Sequence, residues 1–176
     1  MRDYSIVSPK FWTGETGRKI RAKGRDEIVV ALYLMTCPPS NMIGLYYLPL
    51  PTLSHETGIP FKGALKALRS LAEVGFAYFD EEREEVWVPE MASYQIGESL
   101  KAKDNRVIAI EKQAEEYKKS MFYKHFLAKY REAFNLTIGS PSEGPLEALR
   151  SQEQEQEQEQ EQEQEQEQDN KSIVEQ

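Results

Sequence analysis

The sequence predicts an α+β, mainly α fold: a helix pair and a β-hairpin, then further helices, then an acidic tail. Three observations carry this. Residues 61–74 alternate apolar and basic positions with helical spacing. Two aromatic, β-branched segments, residues 76–79 and 85–88, flank the polar stretch Asp80-Glu81-Glu82-Arg83-Glu84, which reads as a hairpin. Beyond residue 138 the composition shifts to Gly, Ser and Pro and then to a Gln-Glu repeat.

A chain of 176 residues accommodates one domain plus appendages. Its net charge of −8 is unevenly placed. Residues 1–138 hold 20 basic and 18 acidic residues, a balance of +2, whereas residues 139–176 hold 2 and 12, a balance of −10. The acidity therefore belongs to the tail and does not argue against a polyanionic partner for the rest. One cysteine, Cys37, excludes an intramolecular disulfide and fits a reducing compartment. The first residues lack the apolar run of a signal peptide, and the longest apolar run, residues 28–35, is far too short to span a bilayer. The expectation is a soluble, cytoplasmic protein without a membrane partner.

Taken in order, residues 1–24 open with Pro9, Phe11 and Trp12 and become basic at Arg18, Lys19, Arg21, Lys23 and Arg25. This stretch reads either as a solvated turn leading into a helix or as a phosphate-contacting patch. Residues 28–35 suit a strand or a buried helix, and periodicity does not separate the two. Asp26 offers a helix start, and Cys37-Pro38-Pro39 ends either element. Residues 44–50, with Pro49 and Pro51, suit a short edge strand. Thr52 then caps a short helix that Gly58 ends. In the helix of residues 61–74, Phe61, Leu65, Leu68 and Ala72 form an inward stripe beside Ala64 and Leu71. Lys62, Lys66, Arg69 and Glu73 take the opposite face, and Gly75 stops the helix.

After the hairpin, residues 90–103 look irregular. Residues 104–136 are helical, with one stripe of Val107, Ile110, Ala114, Tyr117 and Met121 and a second of Phe122, Phe126, Tyr130 and Phe134. The change of phase near Ser120 marks a break between two helices, each needing a surface to pack on. Residues 139–145 form a linker, and residues 152–168 are strict Gln-Glu alternation with nothing apolar to bury, so disorder is expected. The domains expected are thus residues 1–92, residues 93–138 as a helical extension suited to a partner, and a disordered tail over residues 139–176.

Enzymatic motifs are missing. No Gly-rich phosphate loop occurs, His55, His125 and Cys37 are isolated in sequence, and the glutamates of the hairpin lack the ligand order of a calcium loop. The expectation is a protein that is not an enzyme and holds no cofactor or metal.

A short helix, a glycine turn, a helix with a basic outer face and then a hairpin is the order of a winged helix-turn-helix. In that arrangement the second helix offers its outer face to the major groove of double-stranded DNA, which assigns contacts to Lys62, Lys66 and Arg69. The hairpin tip, residues 80–85, carries five acidic residues and one basic, so it is repelled by phosphate. Arg18, Lys19, Arg21, Lys23 and Arg25 are the remaining candidates for backbone contacts.

The segments FWTGETGRKIRAKGRDEIVVALYLMTCP, NMIGLYYLPLPTLSHETGIP and ALKALRSLAEVGFAYFDEEREEVWVPEM resemble the N-terminal domain of phage and prophage replication proteins. These are replisome organisers, related in role to lambda-type origin-binding proteins and to DnaD-like primosome components. The resemblance covers residues 4–136, and FYKHFLAKYREAFNL resembles the helical module that follows in such proteins. It selects a helix over residues 25–36. It implies replication initiation, by origin binding through the winged helix and recruitment of a replicative helicase or its loader. A transcriptional regulator on the same fold, and an interaction adaptor that touches no DNA, stay open beside it, as does homo-oligomerisation.

Overall fold

Residues 5–139 are described in the computed structural model of the protein. The expected disorder of the tail concerns residues that, from 140 onward, lie outside the described ones. Three helices come first: α1 (Lys10–Thr13), α2 (Glu15–Lys23) and α3 (Arg25–Thr36). Strand β1 (Leu45–Tyr47), helices α4 (Leu50–Thr57) and α5 (Phe61–Glu73) and strands β2 (Tyr78–Asp80) and β3 (Glu85–Trp87) follow. Then come α6 (Met91–Gln95), α7 (Arg106–Glu116) and α8 (Tyr123–Tyr130). The fold is α+β and mainly α, as the sequence predicts. The described residues up to Thr137 belong to one compact unit, and the expected boundary at residues 92–93 falls inside α6.

The basic stretch, open between a solvated turn and a phosphate-contacting patch, is helical over most of its length. Arg18, Lys19, Arg21 and Lys23 lie in α2, and Gly24, with φ 152°, is the joint at which α3 begins at Arg25. Helix α1 crosses so close to α2 that a β-carbon on Gly17 would lie 1.6 Å from the carbonyl oxygen of Phe11, so only glycine fits there.

Helix α4 starts two residues before the expected Thr52 cap. Pro49 is its N-cap and Pro51 occupies its first turn, where a missing N–H breaks no helical bond. Gly58 ends it in the left-handed conformation at φ 70°. In α5 the inward stripe is rotated from the one expected. Ala64, Ala67, Leu68 and Leu71 are buried, an i, i+3, i+4, i+7 set. The two alanines let α3 pack closely, and the stripe turns toward them; Phe61 is left 50% exposed and Leu65 and Ala72 only partly buried.

The sheet is antiparallel in the order β1-β3-β2, so β1 is the edge strand expected. Tyr46, Val86 and Phe79 lie side by side on one face and meet the helical core of Val30, Leu34, Leu53, Leu68 and Leu71. Tyr46 donates its buried hydroxyl to the carbonyl of Leu34 at 2.6 Å. Leu45, Trp87 and Tyr78 share the other face. That face is the surface on which the C-terminal helices pack. Trp87 stacks on Phe122 and His125 with centroids 6.1 and 6.0 Å away, and Tyr130 donates to the carbonyl of Pro89 at 2.6 Å.

Phe122, Phe126, Tyr130 and Phe134 are all buried, as their spacing predicts. Met121 is not: α7 ends at Glu116, its helical phase is lost, and Met121 is 60% exposed. Residues 90–103, expected to be irregular, contain α6.

Candidate nucleic-acid interface

Helix α5 is placed by its buried stripe, and that placement decides which side chains reach solvent. Lys62, Lys66, Arg69 and Glu73 are spaced four, three and four apart and are all exposed. Lys62 and Lys66 form no ion pair with a described residue. No acidic residue occupies the first turn of α5, so its amino-terminal N–H groups add positive potential beside Lys62.

The α2–α3 joint sits against the first half of α5. Lys23, Arg25, Asp26, Glu27, Gly63 and Lys66 enclose a shallow cleft of about 460 Å³. The fold therefore brings Lys23 and Arg25 from the basic stretch beside Lys66, which sequence distance alone did not require. Glu27 is buried at this joint, its carboxylate folded over Gly24: a β-carbon there would lie 2.6 Å from the carboxylate oxygen. Arg25 projects with its side chain 91% exposed, 3.9 Å from Asp26.

The remaining predicted cations are placed differently. Arg21 donates to the carbonyl of Trp12 at 2.6 Å, holding α1 against α2. Lys19 pairs with Glu15 at 2.8 Å, and its hydrogen bond and charge keep the Glu15 carboxyl below its usual range. Arg18 is exposed three residues before Arg21, on a side of α2 away from the Lys19–Lys23 row. The eight predicted residues thus divide into a group around α5 (Lys62, Lys66, Arg69, Lys23 and Arg25) and a group along α2 (Arg18, Lys19 and Arg21), of which Arg21 holds α1 and Lys19 pairs within α2 itself.

Two carboxylates hold two of the site's cations. Lys23 pairs with Glu73 at 2.6 Å, which lowers the Glu73 carboxyl, and Arg69 pairs with Glu81 of the hairpin at 2.9 Å. Glu73 was legible as the neighbour of Arg69 on the same helix face; Glu81 carried no signal, because only the fold swings the hairpin beside α5.

The acidic hairpin is largely committed to its own geometry. Asp80 accepts from the N–H groups of Glu82 and Arg83 at 3.0 and 3.2 Å, which closes the turn. Glu84, at φ 52°, accepts from the Tyr47 hydroxyl at 3.0 Å and from the N–H of Leu50 at 3.3 Å. It thereby satisfies a free donor at the start of α4.

Nucleophilic chemistry finds no support at Cys37, whose thiol is buried and pushed up by that burial. Among the described residues no cluster of His, Cys, Asp and Glu is arranged to hold a metal ion, and no helix is long and apolar enough to cross a membrane. Comparison with known protein families, curated proteins and solved structures finds no match for this chain.

Proposed function

We propose that the chain is a winged helix-turn-helix protein that binds double-stranded DNA through α5, with α4 as the supporting helix and β2–β3 as the wing. The observation that carries this reading is the exposed row Lys62-Lys66-Arg69 on the second helix of a glycine-turned pair, joined by Arg25 across the cleft. Lys62 and Lys66 are free to neutralise phosphates or reach guanine edges. The wing takes no part in backbone contact, because its carboxylates face phosphate with the wrong sign and Asp80 and Glu84 are already committed.

The role we assign to this binding is replication initiation of the phage type, in the cytoplasm of a bacterial host, with a replicative helicase or its loader as partner. It rests on the likeness of residues 4–136 to replisome organisers. No catalytic step is assigned to the chain.

Salt-titrated binding of the full chain to duplex DNA tests the proposal. The logarithm of affinity should fall linearly with the logarithm of salt, with a slope of about −3 for contacts by Lys62, Lys66 and Arg25. Binding without salt dependence, or no binding, overturns it. Capture of bound fragments from the source genome tests the role: enrichment of one segment beside helicase or helicase-loader genes supports initiation, and enrichment of promoters supports a transcriptional regulator instead.

A further inference from the structure

Helix α5 begins with a phenylalanine that its own packing does not use. Apolar spacing assigns Phe61 to the inward stripe, yet Ala64, Ala67, Leu68 and Leu71 fill that role and Phe61 is 50% exposed. It is the first residue of the helix, follows Pro60 and precedes Lys62, and its turn contains no acidic residue. Other exposed apolar side chains belong to other elements, among them Val29 on α3, Tyr47 on β1, Ile108 on α7 and Met121 between α7 and α8.

We propose that Phe61 is a sequence-reading residue that packs against the 5-methyl group of a thymine in the major groove. The inference rests on the DNA-binding reading of α5. A recognition helix enters the groove by its amino-terminal turns, so its first side chains lie nearest the base edges. The thymine methyl is the apolar mark of the major groove, and a phenyl ring is a suitable contact for it. The surroundings select nucleic acid over an apolar protein surface. Lys62 is the next residue and Lys66 lies one turn beyond it, both exposed and without an ion pair to a described residue. Burying them against an apolar partner would desolvate two charges, whereas phosphates flanking a thymine neutralise them. Phe61 thus supplies discrimination and Lys62 and Lys66 supply affinity.

The test uses the full chain and a duplex captured by it from its source genome. Each thymine is replaced in turn by deoxyuridine, which deletes the methyl group and keeps base pairing. The wild-type protein is expected to lose about four-fold in affinity at one or two positions, the value of burying one methyl-sized group. Phe61→Ala should bind the thymine and uracil duplexes alike, at the weaker level. Lys66→Gln should bind both more weakly and keep their ratio. Phe61→Leu, still apolar, should retain part of the discrimination. Because Phe61 is half exposed, an unchanged thermal melt confirms that each variant is folded. Equal wild-type binding to every substituted duplex, or discrimination that survives in Phe61→Ala, overturns this inference and leaves the DNA-binding reading standing. Failure to capture any duplex overturns both.

Discussion

The guanidinium of Arg69 on α5 lies 2.9 Å from the carboxylate of Glu81 in the hairpin, so the hairpin neutralises a cation of the proposed recognition face. Both side chains are more than half exposed, and the pair is worth little to stability. Its consequence is for binding: a phosphate must displace Glu81 to use Arg69. Glu81→Gln is expected to tighten duplex binding about two- to five-fold at low salt, the range of an exposed ion pair, and less at high salt. Weaker binding would mean instead that Glu81 orients Arg69 for contact. A binding titration of the two proteins at two salt concentrations distinguishes these outcomes.

Charge reversal at Lys62 or Lys66 should weaken binding without unfolding the protein, because both are exposed and unpaired among the described residues. Each change is expected to lower affinity by about ten-fold or more at low salt and to reduce the salt slope by about 0.9. Reversal at Arg21, which holds the carbonyl of Trp12, should instead lower the melting temperature. Parallel melts and titrations of the three variants check the division of the basic residues into an α5 group and an α2 group.

The far face of the sheet needs its cover. Phe122 is buried against Trp87, and truncating it to alanine is expected to cost about 3–5 kcal/mol, measured by denaturant unfolding. Trp87 is 8% exposed while Trp12 is 46% exposed, so loss of this packing should shift tryptophan emission to longer wavelength as Trp87 meets water. An unshifted spectrum with full stability would show that α8 does not cover the sheet in solution.

Glu84 ties the hairpin to residues 47–50 at three points: its carboxylate accepts from the Tyr47 hydroxyl and the N–H of Leu50, and its backbone carbonyl accepts from the N–H of Leu48, 2.7 Å away. Glu84→Ala leaves the backbone bond but removes the other two, and is expected to destabilise the protein by about 1–2 kcal/mol in thermal or chemical unfolding. A neutral effect would place those contacts outside the stabilising set.

Acid sensitivity follows from Asp104, which accepts from the side chain and backbone of Arg106 and is held down to about 2. A carboxyl depressed in the folded state stabilises it above the unfolded value near 4 and loses that contribution as pH falls toward 2. The start of α7 should therefore loosen between about pH 4 and pH 2, and Asp104→Asn should remove that part of the pH dependence. Amide exchange of residues 104–108 across this range reads it directly.

The order of elements was largely legible in the chain. The end of α4 at Gly58, the basic outer face of α5, the hairpin and the break before α8 each follow from a local signal, a breaker or a periodic stripe, whereas the helix over Arg25–Thr36 followed from the family resemblance, because periodicity alone fits a strand there as well. Local signals reach only a turn or two along the chain. They mistook the rotation of α5 because Ala64 and Ala67 earn their buried place through the closeness of α3, which no property of α5 states. They treated Arg18, Lys19, Arg21, Lys23 and Arg25 as one group, although only the bend at Gly24 decides which of them meet Lys66. The pairing of Arg69 with Glu81 and the cover of Trp87 by Phe122 and His125 depend on contacts between segments far apart in sequence. By itself the sequence determined which residues are basic and apolar and the order of most elements; the tertiary structure decided which cations face outward unpaired among the described residues and that Phe61, at the start of α5, is left half exposed, because packing, not pattern, chooses the face a helix buries.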